Sequence, residues 1–301
     1  MQEKGSNMQV KADIMMLIVT ICWGSSYLFM KIGLDSLQGF TLIFLRFIFA
    51  FILAAVVFYK RLLKVNMKTI KYSFILGTVL FFAFAFLAVG MRTTTASNAG
   101  FLVSLAVIFV PVISGIFLKQ KTEFRLVIGV STALIGIALL TLNSHFQLSI
   151  GDFYCIICAL LYSVHIILTG KLTKHVDSIS LGVLQLGFVA AWGFIFSLLF
   201  EAPQLPQTVN AWIAVLALSI ICSALGFIIQ TIAQQHTTPT HTGLIFSLEP
   251  IFSALFAFIF IGETLTVRGY IGATLVILGI LFAEINFKKL FLKKEQSNVT
   301  I

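Results

Sequence analysis

The sequence predicts an all-α polytopic membrane protein of ten transmembrane helices, arranged as two inverted five-helix repeats. Composition, the placement of basic residues and internal similarity predict it. Apolar residues make up 59% of the chain and charged residues 10%, against about 45–50% and about 25% in soluble domains. Phenylalanine alone occurs 31 times. A soluble fold of this length could not bury so much apolar surface, whereas lipid solvates it.

Ten apolar segments can be marked, at about 13–34, 40–59, 72–90, 96–118, 124–142, 152–172, 179–200, 211–232, 240–261 and 268–286. Each is long enough to cross a hydrocarbon core of about 30 Å. The links between them are short, so the chain reads as one membrane domain. The first segment is expected to be retained as a helix, because no small-residue cleavage site follows it.

Lysine and arginine orient the segments. With the N-terminus in the cytoplasm, the inner links and tails hold Lys4 and Lys11, the run from Lys60 to Lys71, Lys119, Lys121 and Arg125, Lys171 and Lys174, and Lys288 to Lys294. The outer links hold only Lys31, Arg92 and Arg268. This bias predicts that both termini are cytoplasmic, and the plasma membrane is the expected location. It also explains the net charge of +9 without nucleic acid.

The repeat appears when residues 92–139 are aligned with 235–282. Thr94 then matches Thr237, Gly100 matches Gly243, Ser104 matches Ser247, Arg125 matches Arg268, Gly129 matches Gly272 and Gly136 matches Gly279. A slightly smaller spacing pairs the first segment with the sixth, setting Trp23 against Tyr162, and sets Arg46 against Gln185. The basic link YKRLLKVNMKTIK has FEAPQLPQTVNAW as its counterpart, which carries no basic residue. Related sequences with inverted charge are what two oppositely oriented copies require. The expected domains are residues 1–143 and 144–288, followed by a cytoplasmic tail, 289–301. Such halves can rock about a shared cavity, which favours a transporter over a static receptor.

WGSSY in the first segment, the arginine of the second and the run SLEPIFSALFAFIFIGETLTVRGYIGATLVILGI resemble the EamA-type branch of the drug/metabolite transporter superfamily. The resemblance covers nearly the whole chain. It implies a ten-helix carrier, many relatives of which export amino acids or other small metabolites. The first half departs from the pattern: Ala106-Val107 stands where the second has Glu249-Pro250, which puts the functional acid on one side only.

Polar groups at membrane depth are the default functional candidates. Arg46 is expected to face the bundle as a counter-charge for a substrate carboxylate, or as a structural arginine bound to a neighbouring helix. Glu249, before a helix kink expected at Pro250, is a candidate for carrying a proton or holding an amino group, or for a packing hydrogen bond. Trp23 and Tyr27 share a face of the first segment; Tyr162 and His165 share one in its counterpart, and the four read as an aromatic pocket or as packing. Asn98 and His241 begin equivalent segments and are symmetric gate candidates or caps. Gln185 is a further polar candidate.

No P-loop, Gly-x-Ser-x-Gly or His-Glu-x-x-His motif occurs, so no enzyme is expected. Cys155-x-x-Cys158 lacks a second pair, and the tract HTTPTH is interrupted by Pro239, so no metal and no cofactor are expected. The expected partners are a small-molecule substrate, protons as a coupling ion and the lipid bilayer, for a monomer or homodimer. The alternative expectation is export of apolar or cationic drug-like compounds, with Arg46 outside the cavity.

Overall fold

The structure is a computed structural model and describes residues 2–94, 96–118, 124–141, 149–261 and 267–284. All regular elements among these are helical. In chain order they are α1 (Gln2–Gly24), α2 (Ser26–Leu34), α3 (Gly39–Val57), the short α4 (Tyr59–Leu62), α5 (Met67–Gly90), α6 (Ala96–Ser104), α7 (Ala106–Leu118), α8 (Phe124–Thr141), α9 (Ile150–Leu172) and α10 (Ser178–Phe200). There follow α11 (Val209–Ala217), a π-helical segment (Leu218–Leu225), α12 (Gly226–Ala233), α13 (Pro239–Phe246), α14 (Glu249–Ile261) and α15 (Val267–Glu284).

Among the described residues, seven helical stretches are long and apolar enough to cross a membrane. They are Met8–Leu34, Gly39–Val57, Met67–Gly90, Ile150–Leu172, Ser178–Phe200, Val209–Ala233 and Pro239–Phe260. Where the fourth, fifth and tenth spans were expected lie shorter apolar helices, Leu102–Ile116, Val127–Gly136 and Val267–Gly279. Large apolar side chains such as Ile52, Val56, Leu198, Leu199, Ile213 and Phe258 face outward. That is stable only in lipid, and the protein is a multi-pass membrane protein.

Polar side chains start the helices. Asn66 accepts from the Thr69 backbone N–H ahead of α5. Ser149 and Asp152 form a reciprocal capping box on α9. Asp177, Thr208 and Thr238 accept from the backbone at the starts of α10, α11 and α13. These caps satisfy N–H groups that the first helical turn leaves without partners. Asp177 also pairs with Arg61 at 2.8 Å. Burial pushes its carboxyl up, but hydrogen bonds from Ser180 and the Arg61 charge outweigh this and hold it below its usual value. Its contribution to stability is therefore present at neutral pH and lost as pH falls through the lowered value.

Several spans are broken inside. Ser25 separates α1 from α2 and donates to the Cys22 carbonyl at 2.7 Å. Ser104 donates to the Gly100 carbonyl at 2.7 Å and Ser247 to the Leu244 carbonyl at 2.6 Å. Such back-bonding bends helices. The breaks after these two serines, at Leu105 and at Ser247–Leu248, are equivalent in the repeat alignment. The interruption thus lies just upstream of Pro250, and it recurs where Val107 replaces the proline. Pro250 falls in the first turn of α14, where a missing N–H costs little.

The packing is reciprocal. α5 lies on α9 and α1 on α12; α7 lies on α9 and α13 with α14 on α1; α5 lies on α10 and α3 on the π segment. Each contact has a counterpart under the residue equivalence read from the sequence, and α3–α10, α8–α15 and α7–α13 are their own counterparts. The α8–α15 contact shows it at atomic detail. A Cβ on Gly136 would meet the Gly272 carbonyl oxygen at 2.5 Å, and one on Gly279 would meet the Gly129 carbonyl oxygen at 2.6 Å. Backbones approach this closely only where side chains are missing. Replacing Gly136 by valine is expected to cost about 2 kcal/mol by overpacking, read as a lower midpoint for thermal unfolding in detergent. An unchanged midpoint would contradict the close approach.

Candidate substrate site

A cavity sits where α1, α2, α3, α5, α9, α12 and α14 converge. Its walls include Trp23, Ser26, Tyr27, Arg46, Phe84, Cys158, Tyr162, Phe227 and Glu249. Its volume is about 40 Å³, room for a few waters and too little for a metabolite. Binding a metabolite therefore requires its walls to part.

Arg46 dominates the cavity. It is 2% exposed. Its Nε donates to the Ser223 hydroxyl at 2.6 Å. Its guanidinium lies 4.5 Å from the Phe84 ring centre and 5.2 Å from that of Phe47, within the range of cation–π attraction. Nη1 has no hydrogen-bond partner among the described residues. The opposite charge is Glu249, 8% exposed, which lines the cavity together with Tyr27. Glu249 and Arg46 lie within electrostatic reach of each other. Glu249 opens α14, so the helix N-terminus adds to what holds its negative charge.

The aromatic wall is built around Trp23. Its ring lies 4.9 Å from Phe246, 5.0 Å from Phe227 and 5.9 Å from Tyr162. The indole Nε1 donates to the Cys222 carbonyl at 2.7 Å, a group in the π-helical segment. A π-helical stretch shifts the backbone ladder and often marks functional sites; here it lends a carbonyl to a side chain of another helix. Cys222 also donates its thiol to the Cys22 carbonyl at 3.3 Å, which ties the two segments where α1 breaks.

Behind the cavity lies a polar cluster. His165 Nε2 is 3.0 Å from Gln185 Oε1, and the His165 ring stacks on Tyr162 with centroids 6.1 Å apart. The Gln234 amide donates to the Ile166 carbonyl at 3.0 Å. Among the described residues, the Tyr162 hydroxyl, His165 Nδ1, the Thr169 hydroxyl, Gln185 Nε2 and both amide atoms of Gln230 are buried without a partner. Each such group costs about 1–3 kcal/mol when left dry.

The sequence candidates thus divide. Trp23, Tyr27, Arg46, Tyr162 and Glu249 line one cavity. His165 and Gln185 pair with each other one layer behind. Pro250 sits beside Glu249 in the first turn of α14. His241 lies away from the cavity lining, with its backbone N–H capped by Thr238. Asn98 belongs to α6, and its side chain lies outside the described residues. Sequence reasoning missed Ser223, Phe84, Phe227 and the π segment. Ser219 and Ser223, four apart in an apolar span, were the available signal for a polar stripe on that helix.

Gly226 seats Trp23: a Cβ there would lie 2.5 Å from the indole Nε1. Gly226→Ala is expected to expel the indole from its bond to Cys222. In a background where Trp192 and Trp212 are phenylalanine, the emission of Trp23 should shift to the red; an unshifted spectrum would contradict this seating.

A family model described as the EamA-like transporter family matches residues 10–142 and again residues 149–284. An uncharacterized transporter of Archaeoglobus fulgidus is 30% identical over 294 residues, covering 91% of this chain and 97% of that protein. A second from the same organism is 28% identical over 274 residues, covering 91% and 86%. The uncharacterized transporter YoaV of Bacillus subtilis is 23% identical, covering 93% and 99%. A protein crystal structure superposes with a TM-score of 0.79 at 18% identity, covering 93% of this chain and 99% of that one, which is a likeness of fold alone.

Proposed function

The chain belongs to the EamA-like transporter family, and from that premise we propose that it is a secondary carrier that exports small zwitterionic metabolites such as amino acids by alternating access. The observation that carries this reading is that Arg46, Tyr27 and Glu249 line the same cavity. A guanidinium with an unpartnered nitrogen suits a carboxylate. A carboxylate across the cavity suits an ammonium group, and the aromatic wall suits an apolar side chain between them.

Ten spans in two inverted halves, with both termini cytoplasmic, is the arrangement that goes with this mechanism. The two separate family matches, the reciprocal helix packing and the equivalent breaks at Leu105 and Ser247–Leu248 support it. The small volume of the cavity supports a cycle in which the halves must move apart to admit substrate. The alternative, export of cationic or apolar drugs, has less support, because a cation would have to share its cavity with Arg46.

Proteoliposomes test the substrate class. An amino acid, its amide and its decarboxylated amine differ only at the carboxylate. The wild type is expected to prefer the amino acid at least about tenfold, the size of one charge-assisted bond, and Arg46→Ala is expected to abolish that preference. Equal transport of all three by the wild type would contradict the reading.

Proton coupling is proposed to run through Glu249. With Glu249→Gln, uphill accumulation is expected to stop responding to an imposed pH gradient while downhill exchange persists. A wild type whose accumulation ignores the gradient would remove this part of the proposal.

A further inference from the structure

Two hydrogen bonds at opposite ends of the bundle are copies of each other. At one end the Thr94 hydroxyl donates to the Asp152 carboxylate. At the other the Thr237 hydroxyl donates to the Asp13 carboxylate at 3.3 Å. Thr94 and Thr237 are equivalent in the repeat alignment. Asp13 and Asp152 are equivalent by the spacing that sets Trp23 against Tyr162. Each bond crosses between the halves: it joins the first span of one half to the turn that links the third and fourth spans of the other.

The backbone beneath each bond is copied too. A Cβ on Gly90 would meet the Gly151 carbonyl oxygen at 2.9 Å, and one on Gly151 would collide with the Gly90 carbonyl in return. Their counterparts are Ala233 and Ala12, both buried, on the packed pair α12 and α1. Small residues at both junctions let the helices meet closely, as a closed end requires.

We propose that the two Asp–Thr pairs are the latches of two gates, an inference that rests on the alternating-access reading above. Rocking separates the halves at one end at a time, so a bond that crosses the halves there must break when that end opens. By the charge bias of the links, Asp152–Thr94 closes the outer end and Asp13–Thr237 the inner. With both formed, the halves are held together at both ends of the bundle.

The latches are unequal. Asp152 is buried, also accepts from the Ser149 N–H at 2.7 Å and stands on the tighter glycine junction. Asp13 is only partly buried, and its bond to Thr237 is long.

Hydrogen exchange on the full-length protein in lipid nanodiscs tests the proposal without any substrate. Thr94→Val leaves the Asp152 capping box intact, so it removes the latch without disturbing the start of α9. It is expected to raise exchange in residues 90–94 and 149–155 by about fivefold, the scale of one lost hydrogen bond, and to lower it at 10–16 and 233–238. Thr237→Val is expected to do the reverse. A rise at both ends together, or no change at the substituted end, would overturn the latches. Because the readout needs no transported solute, a wrong substrate class leaves this test standing, and failed latches leave the substrate test standing.

Discussion

Arg46 carries a charge into the interior of an apolar bundle, and the arrangement around it answers to that charge. Placing arginine at the centre of a membrane helix costs roughly 2.5–3.5 kcal/mol even on insertion scales. Here the cost is offset by the Ser223 hydroxyl, by the faces of Phe84 and Phe47, and by the Glu249 carboxylate within reach. Each of these contacts comes from a different helix. Arg46 thus ties α3 to α5 and the π segment, and its Nη1 has no partner among the described residues.

The scaffold around this charge is more symmetric than the charge itself. The glycine contacts of α8 and α15, the serine-bent breaks and the Asp–Thr junctions recur in both halves. The chemistry does not. Gln185 stands where Arg46 does and is engaged by His165; Ala106 stands where Glu249 does. Symmetry in packing gives two conformations of similar energy, which alternation needs. The proposed site is correspondingly lopsided, with Arg46 and Glu249 unmatched in the other half.

Much of the fold was legible because lipid enforces simple rules. Apolar runs locate spans, and the glycine repeats of residues 129, 136, 272 and 279 become a real contact between α8 and α15. Helix ends were less legible. Hydropathy marks what lies in the hydrocarbon, whereas the hydrogen-bonded ladder continues into polar sequence, so α1 begins at Gln2 and α5 at Met67. The break near Pro250 was placed by the proline, yet an equivalent break stands at Leu105, where the first half has Val107 in place of the proline. In the site, the costly residues Arg46 and Glu249 were visible because charge at depth is rare. Ser223 and the Cys222 carbonyl were not, because a serine or a backbone group in an apolar span becomes informative only when a π-helical turn aims it at a partner. Asp13 and Asp152 read as boundary residues, and only the fold shows that each meets a threonine from the other half.

We propose that Arg46 is held ready for a substrate carboxylate. Thermal unfolding of the purified protein in detergent, with and without an amino-acid mixture, tests it most directly, since a ligand that binds the folded state raises its midpoint. The wild type should gain stability from the mixture, and Arg46→Gln, which keeps a donor for Ser223 but loses the charge, should gain none. An equal gain in both proteins would contradict the account.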